Sequence, residues 1–168
     1  KIIDVKGRKI QQNFSVMNEE TPRIIDPRNA FIMTSLLKEV INTGTARKAK
    51  TLKREDIAGK TGTTNELIDA WFAGFNPDIV TITWMGYDQP QTLGKHESGS
   101  RAALPIWIDY MKPIINEYPK KLLEEPDGII PLKINSKTGM LAKENEDGIY
   151  EYFYDEFLPK NNAYFLLN

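Results

Sequence analysis

Two runs rich in β-branched and aromatic side chains, Ala70–Phe75 and Ile79–Tyr87, are separated only by Asn76-Pro77-Asp78. So short a link cannot make the crossover that a parallel pair requires, so the runs must form an antiparallel hairpin. A third run, Asp56–Thr63, precedes them and extends the sheet to three strands. Apolar positions at 3.6-residue spacing, Met33, Leu36, Leu37, Val40 and Ile41, predict a helix from about Arg28, with Gly44 placed to stop it. A second helix is expected from about Ala102, burying Leu104, Ile108, Met111 and Ile115. Pro105 fits its first turn and Pro113 kinks or ends it. A small hairpin with its turn at Lys6-Gly7 is expected over residues 1–13, and a polar connector over 14–28. From Glu124 the chain turns Pro- and acid-rich, with short strands expected at Ile129–Ile134 and Tyr150–Tyr154 as an appendage. The fold class is therefore α+β, an antiparallel sheet flanked by helices. The expected divisions are 1–22 (hairpin and connector), 23–123 (main body) and 124–168 (appendage). Two helices are too few to bury both sheet faces, and the face carrying Ala58, Trp71, Ala73, Ile82 and Trp84 needs cover.

Composition narrows the function classes. Among 168 residues, 22 Lys and Arg nearly balance 23 Asp and Glu, which argues against a polyanion binder on bulk charge. An apolar share of 40% and a charged share of 27% are ordinary for a globular chain. With no Cys, disulfides and thiolate metal sites are excluded. The single His, His96, lies between Lys95 and Glu97 and reads as an exposed loop residue; Asp69, Glu97 and Asp109 are isolated carboxylates, so no metal site is expected. The basic excess peaks at Arg47, Lys48, Lys50, Lys53 and Arg54, read first as a solvated loop and alternatively as an electropositive rim for an anion. No aromatic side chain interleaves with it, so nucleic acid is not an expected partner.

The candidate chemistry lies in Gly59-Lys60-Thr61-Gly62-Thr63-Thr64. Lys supplies positive charge and Thr hydroxyls donate to a carboxylate. A Gly lets a substrate backbone lie against the strand, and a backbone N–H just beyond can stabilise an oxyanion. The run is not a P-loop, because Arg54 stands where that motif needs Gly. A bare Lys-Thr-Gly triplet is weak evidence, and it recurs as Lys137-Thr138-Gly139, where Gly reads as a turn residue. Ser35-Leu36-Leu37-Lys38 has the spacing of a Lys-activated serine nucleophile. Helical geometry groups Ser35 with Lys38, Glu39 and Asn42 on the polar face, so Ser35 is expected to face solvent and not to be the nucleophile.

Taken together, these strings resemble class A penicillin-binding proteins over about residues 23 to 159. The resemblance rests on Asp56–Asn65 continued by Asp69–Phe75, on Trp84–Asp88, Glu97–Ser100 and Ala102–Trp107, and on Leu36-Leu37 with Gly44-Thr45-Ala46. Ile134–Ala142 and Glu151-Tyr152-Phe153 are similar to the tail of the family's 1A branch. The resemblance implies a penicillin-binding transpeptidase fold, like that of serine β-lactamases, and cross-linking of peptidoglycan stem peptides with no cofactor. It places Lys60 near the substrate carboxylate and the catalytic proton network. Thr61 and Thr63 would donate to that carboxylate, the Thr63 N–H would form half of the oxyanion hole, and Gly62 and Thr64 would line the substrate site. β-Lactams would bind as mimics. The family's S-x-x-K and S-x-N segments, its glycosyltransferase domain and its membrane anchor would lie upstream of Lys1. Residues 23–123 are then expected to be the C-terminal part of a transpeptidase domain, without a nucleophile and inactive alone, with the upstream half as partner. The expected location is the periplasmic side of a bacterial inner membrane. Alternatives are a D,D-carboxypeptidase, a serine β-lactamase, or a non-catalytic interaction module.

Overall fold

The computed structural model describes residues 2–3, 6–11 and 23–159. The expected connector lies, up to residue 22, outside the described residues. Strands β1 (Ile2–Ile3) and β2 (Lys9–Gln11) form the expected antiparallel hairpin, with Gly7 in the left-handed region at φ 76°.

Helix α1 spans Pro27–Asn42. Asp26 caps it: its carboxylate accepts the Arg28 N–H at 2.8 Å, and Pro27 fills the first turn, where no N–H is needed. The N–H groups of Thr43 and Gly44 both return to the Glu39 carbonyl, at 2.9 and 3.0 Å, closing the helix. Gly44 is required there by close approach, since a Cβ would lie 2.9 Å from the Val40 backbone.

Strands β3 (Ala58–Thr63), β4 (Ala70–Phe75) and β5 (Val80–Met85) form the antiparallel sheet in that order. Asn76 closes the β4–β5 turn, its Oδ1 accepting from the N–H groups of Asp78 and Ile79 at 3.1 and 2.8 Å. The register pairs Lys60 with Ala73 and Thr61 with Phe72, and Ala73 with Ile82 and Phe72 with Thr83. One face therefore carries Lys60, Trp71, Ala73, Ile82 and Trp84, and the other carries Thr61, Thr63, Phe72 and Thr83.

Helix α2 (Leu104–Ile114) follows a π-helical turn, Gly99–Ala103, and covers the Phe72 face. Pro105 sits in its first turn and Pro113 in its last. Leu104, Met111 and Ile115 are buried as expected, while Ile108 is only half-buried. Trp107 is the larger anchor: its ring meets Phe72 edge-on at 5.0 Å, and its Nε1 donates to the Thr81 carbonyl at 3.1 Å. Gly74 makes room for it, because a Cβ would fall 2.5 Å from the indole. Ala46, Ala49, Leu52 and Ile57 complete this core.

Three expectations need correction. First, α1 buries the stripe from Met33 to Ile41 only in part: Met33 and Leu36 are 48% and 47% exposed, Leu37 and Val40 are half-buried, and Ile41 is buried, as is Phe31 outside the stripe. The helix is held on two sides, by the core at Ile41 and by a C-terminal hairpin, β6 (Ile129–Ile134) with β7 (Ile149–Tyr154), at Phe31. Phe31 packs edge-on against Tyr152 at 4.8 Å, and Arg28 pairs with Glu156 at 2.8 Å while lying over the Tyr154 ring. Second, Ser35 is half-buried, not solvent-facing. With Lys38, Glu39, Asn42, Leu122 and Tyr152 it lines a cleft of about 300 Å³ between α1 and that hairpin. Third, Arg54 is not part of a solvated loop. It is buried against Asp56 (Nε to Oδ1, 2.7 Å) and donates to the carbonyls of Ile115 and Tyr118 at 2.6 and 2.9 Å, tying β3 to the end of α2.

Candidate active-site wall

Strand β3 forms one edge of its sheet: among the described residues no strand pairs with its other side. Lys60, Thr61, Gly62 and Thr63 lie along this edge. Lys60 is exposed and its Nζ donates to the Thr61 carbonyl at 3.0 Å. The two threonines point to the opposite face from Lys60, and each is braced. Thr61 Oγ1 shares a hydrogen bond with Thr45 Oγ1 at 2.8 Å. Thr63 Oγ1 accepts the Gly99 N–H at 3.0 Å. Each arrangement still leaves a hydroxyl proton free for an incoming acceptor: Thr63 keeps its own, and so does whichever of Thr45 and Thr61 accepts in their shared bond.

The brace at Gly99 demands that residue. A Cβ there would lie 2.4 Å from both the Gly62 and Trp71 carbonyl oxygens, so only glycine lets the π-helical turn rest on the strands. Thr64 does a different job. Its hydroxyl accepts the Asp69 N–H at 2.8 Å and its N–H reaches the Asp69 carbonyl, closing the loop from β3 to β4. Asp69 in turn accepts the Trp84 indole N–H at 2.9 Å, so it is partnered, not isolated.

The second triplet has the turn geometry expected of it. Asn135 Oδ1 accepts from the N–H groups of Lys137 and Thr138, and Gly139 sits at φ 70° with its N–H on the Asn135 carbonyl. His96 is exposed in its loop, and no group of His, Asp and Glu able to hold a metal occurs among the described residues. Ser35, on α1, lines its cleft with Tyr152 of β7, and β3 contributes no residue to it. The sequence reading did not single out Thr45 or Gly99 for any chemistry; only their place in the strings 44–46 and 97–100 marked them.

No family model matches the chain. It is 47% identical over 158 residues to penicillin-binding protein 1A of Pseudomonas aeruginosa, covering 92% of this chain and 19% of that protein. It is 46% identical to penicillin-binding protein 1A of Aquifex aeolicus, covering 89% of this chain and 20% of that protein. The crystal structure of penicillin-binding protein 1A from Haemophilus influenzae superposes with a TM-score of 0.76 at 37% identity, over 83% of this chain and 22% of that one. The chain is homologous to part of a penicillin-binding protein. That protein is penicillin-binding protein 1A, and the chain spans about a fifth of the length of the curated relatives it matches.

Proposed function

We propose that the protein of which this chain is part is a serine-type D,D-transpeptidase that cross-links peptidoglycan stem peptides, and that residues 58–64 are one wall of its active site. The observation that carries this reading is the open edge of β3, with the Thr61 and Thr63 hydroxyls braced on one face and Lys60 on the other. An extended peptide can add to such an edge through main-chain hydrogen bonds. Thr61 and Thr63 orient the carboxylate at its end. The scissile carbonyl then lies at the Thr63 N–H, which supplies half of the oxyanion hole. A serine from outside this chain attacks that carbonyl. The terminal D-Ala leaves with a proton, and an amine from a neighbouring stem peptide takes the acyl group. Lys60 belongs to the proton network that activates the serine. No cofactor is needed for acyl transfer between these groups. Homology to penicillin-binding protein 1A supports a bifunctional, membrane-anchored protein acting in the periplasm. No helix among the described residues is long and apolar enough to cross a membrane.

Fluorescent penicillin labelling of the full-length protein tests this reading. Lys60→Ala should lower the labelling rate by about a hundredfold or more, whereas Lys137→Ala should leave it within about twofold, given its exposed turn. Equal losses would show that the wrong triplet was chosen. A full-length protein that never labels would favour a non-catalytic interaction module.

A further inference from the structure

The basic run at 47–54 comes apart in the fold. Arg54 turns inward, and all five of its N–H groups are taken, two by the Asp56 carboxylate and three by the carbonyls of Ile115, Tyr118 and Pro119. These bonds tie the end of the 3-10 helical turn Arg47–Leu52 to the segment that follows α2. Between the two lies a cleft of about 490 Å³. Lys53 lines it from one wall, Lys112 and Lys120 line it from the other, and all three are exposed.

No acidic residue lines this cleft, and none of the three lysines forms an ion pair among the described residues. Lys53 is held in the left-handed region at φ 52°, a conformation that a residue with a Cβ adopts at a cost. Leu52 and Ile115, both buried, give the cleft an apolar floor. The cleft is separate from the candidate active-site wall. Its residues 51–54 precede β3, a strand about 17 Å long, and neither Thr61 nor Thr63 lines it.

A concave site lined by one sign of charge concentrates field and draws the opposite ion. A planar carboxylate is matched best by a guanidinium fork, and the one guanidinium in this cleft, Arg54, has no N–H left to give. Three separate ammonium groups suit instead an anion whose oxygens point in several directions, and Lys binds phosphate as a point charge. We propose that this cleft binds an organic phosphate, with its phosphoryl oxygens on Lys53, Lys112 and Lys120 and its organic part over Leu52 and Ile115. The inference goes beyond the transpeptidase reading and does not rest on it.

A lipid headgroup and a soluble ester both carry this chemistry, and the arms of the test separate them. The full-length protein, in detergent and at constant ionic strength, is acetylated in the presence of dihexanoyl phosphatidic acid, glycerol 3-phosphate or dihexanoyl phosphatidylcholine. The rate at each lysine is read by mass spectrometry. Phosphatidic acid should slow acetylation of Lys53, Lys112 and Lys120 by about threefold or more, with Lys95 and Lys137 unchanged. Protection by phosphatidic acid alone assigns the cleft to a lipid headgroup, and equal protection by glycerol 3-phosphate assigns it to a soluble ester. In Lys53→Gln/Lys112→Gln the concentration that protects Lys120 should rise about tenfold or more. In the charge-matched control Lys95→Gln/Lys137→Gln it should stay within about twofold. All four substituted lysines are exposed, so both variants should fold. The inference would be overturned by no protection from either phosphate at up to about 10 mM, by equal protection from phosphatidylcholine, by protection spread evenly over Lys95 and Lys137, or by an unchanged response in Lys53→Gln/Lys112→Gln.

Discussion

Arg54 and Asp56 show how much a single pair of residues holds together. Both side chains are almost completely removed from solvent, and Arg54 also donates to the carbonyls of Ile115, Tyr118 and Pro119, just beyond α2. Burial pushes the Asp56 carboxyl up, but the hydrogen bonds from Arg54 and from the Lys121 N–H outweigh it and hold the group below the usual carboxylate range. An acid whose folded-state value is depressed contributes stability that is present above its unfolded value. That contribution is lost as the pH falls through the folded one. Chemical denaturation should therefore show stability declining below about pH 4, and Asp56→Asn should flatten that decline. Arg54→Met, which leaves the carboxylate buried and alone, should cost about 3–5 kcal/mol at neutral pH; a loss under about 1 kcal/mol would mean that the pair is hydrated in solution. None of this was legible in the chain. Arg54 stood among four other basic residues, and only its contacts with residues 61 to 65 positions away distinguish it.

At the scale of elements, the strands were the legible part. The turn chemistry of Asn76-Pro77-Asp78 and the β-branched runs place β4 and β5 within about a residue or two of their observed ends. The face of α1 was not legible, because periodicity reports that a helix has an apolar side but not how many neighbours divide it. Here one neighbour is the β6–β7 hairpin, more than 90 residues further along the chain, and it takes Phe31, which the stripe from Met33 to Ile41 leaves out. The braces on Thr61 and Thr63 escaped for the same reason, since they come from 16 and 36 residues away. Phe31→Ala should remove the ring contact with Tyr152 and loosen the hairpin. Hydrogen exchange should then accelerate by about tenfold or more through β6 and β7 while β4 and α2 stay protected. Unchanged exchange in β7 would show that the hairpin stands without α1.

For the whole molecule, the decisive fact is a sheet face that no element among the described residues covers. Trp71, Val80, Ile82 and Trp84 are 42%, 71%, 60% and 45% exposed, on the side of the sheet opposite Phe72 and Trp107. The number of elements expected from the sequence points the same way, since two helices are too few to bury two faces. The structure shows which face α2 takes. Full burial of such side chains contributes about 1.5–3 kcal/mol each, against a typical net stability of about 5–15 kcal/mol. A patch of this kind also favours association. The chain expressed alone should therefore aggregate, dimerise or unfold at low temperature, and the upstream part of the protein added in trans should rescue it. A monomer with one sharp, high-temperature transition would show instead that these 168 residues suffice for themselves.

The central claim is that this chain is a wall of a serine acyl-transfer site whose nucleophile lies elsewhere. Peptide mapping by mass spectrometry, after the full-length protein is treated with penicillin, tests it most directly. The account predicts a single acyl adduct on a serine outside residues 1–168, formed at least about a hundredfold more slowly in Lys60→Ala. An adduct on Ser35 would contradict it.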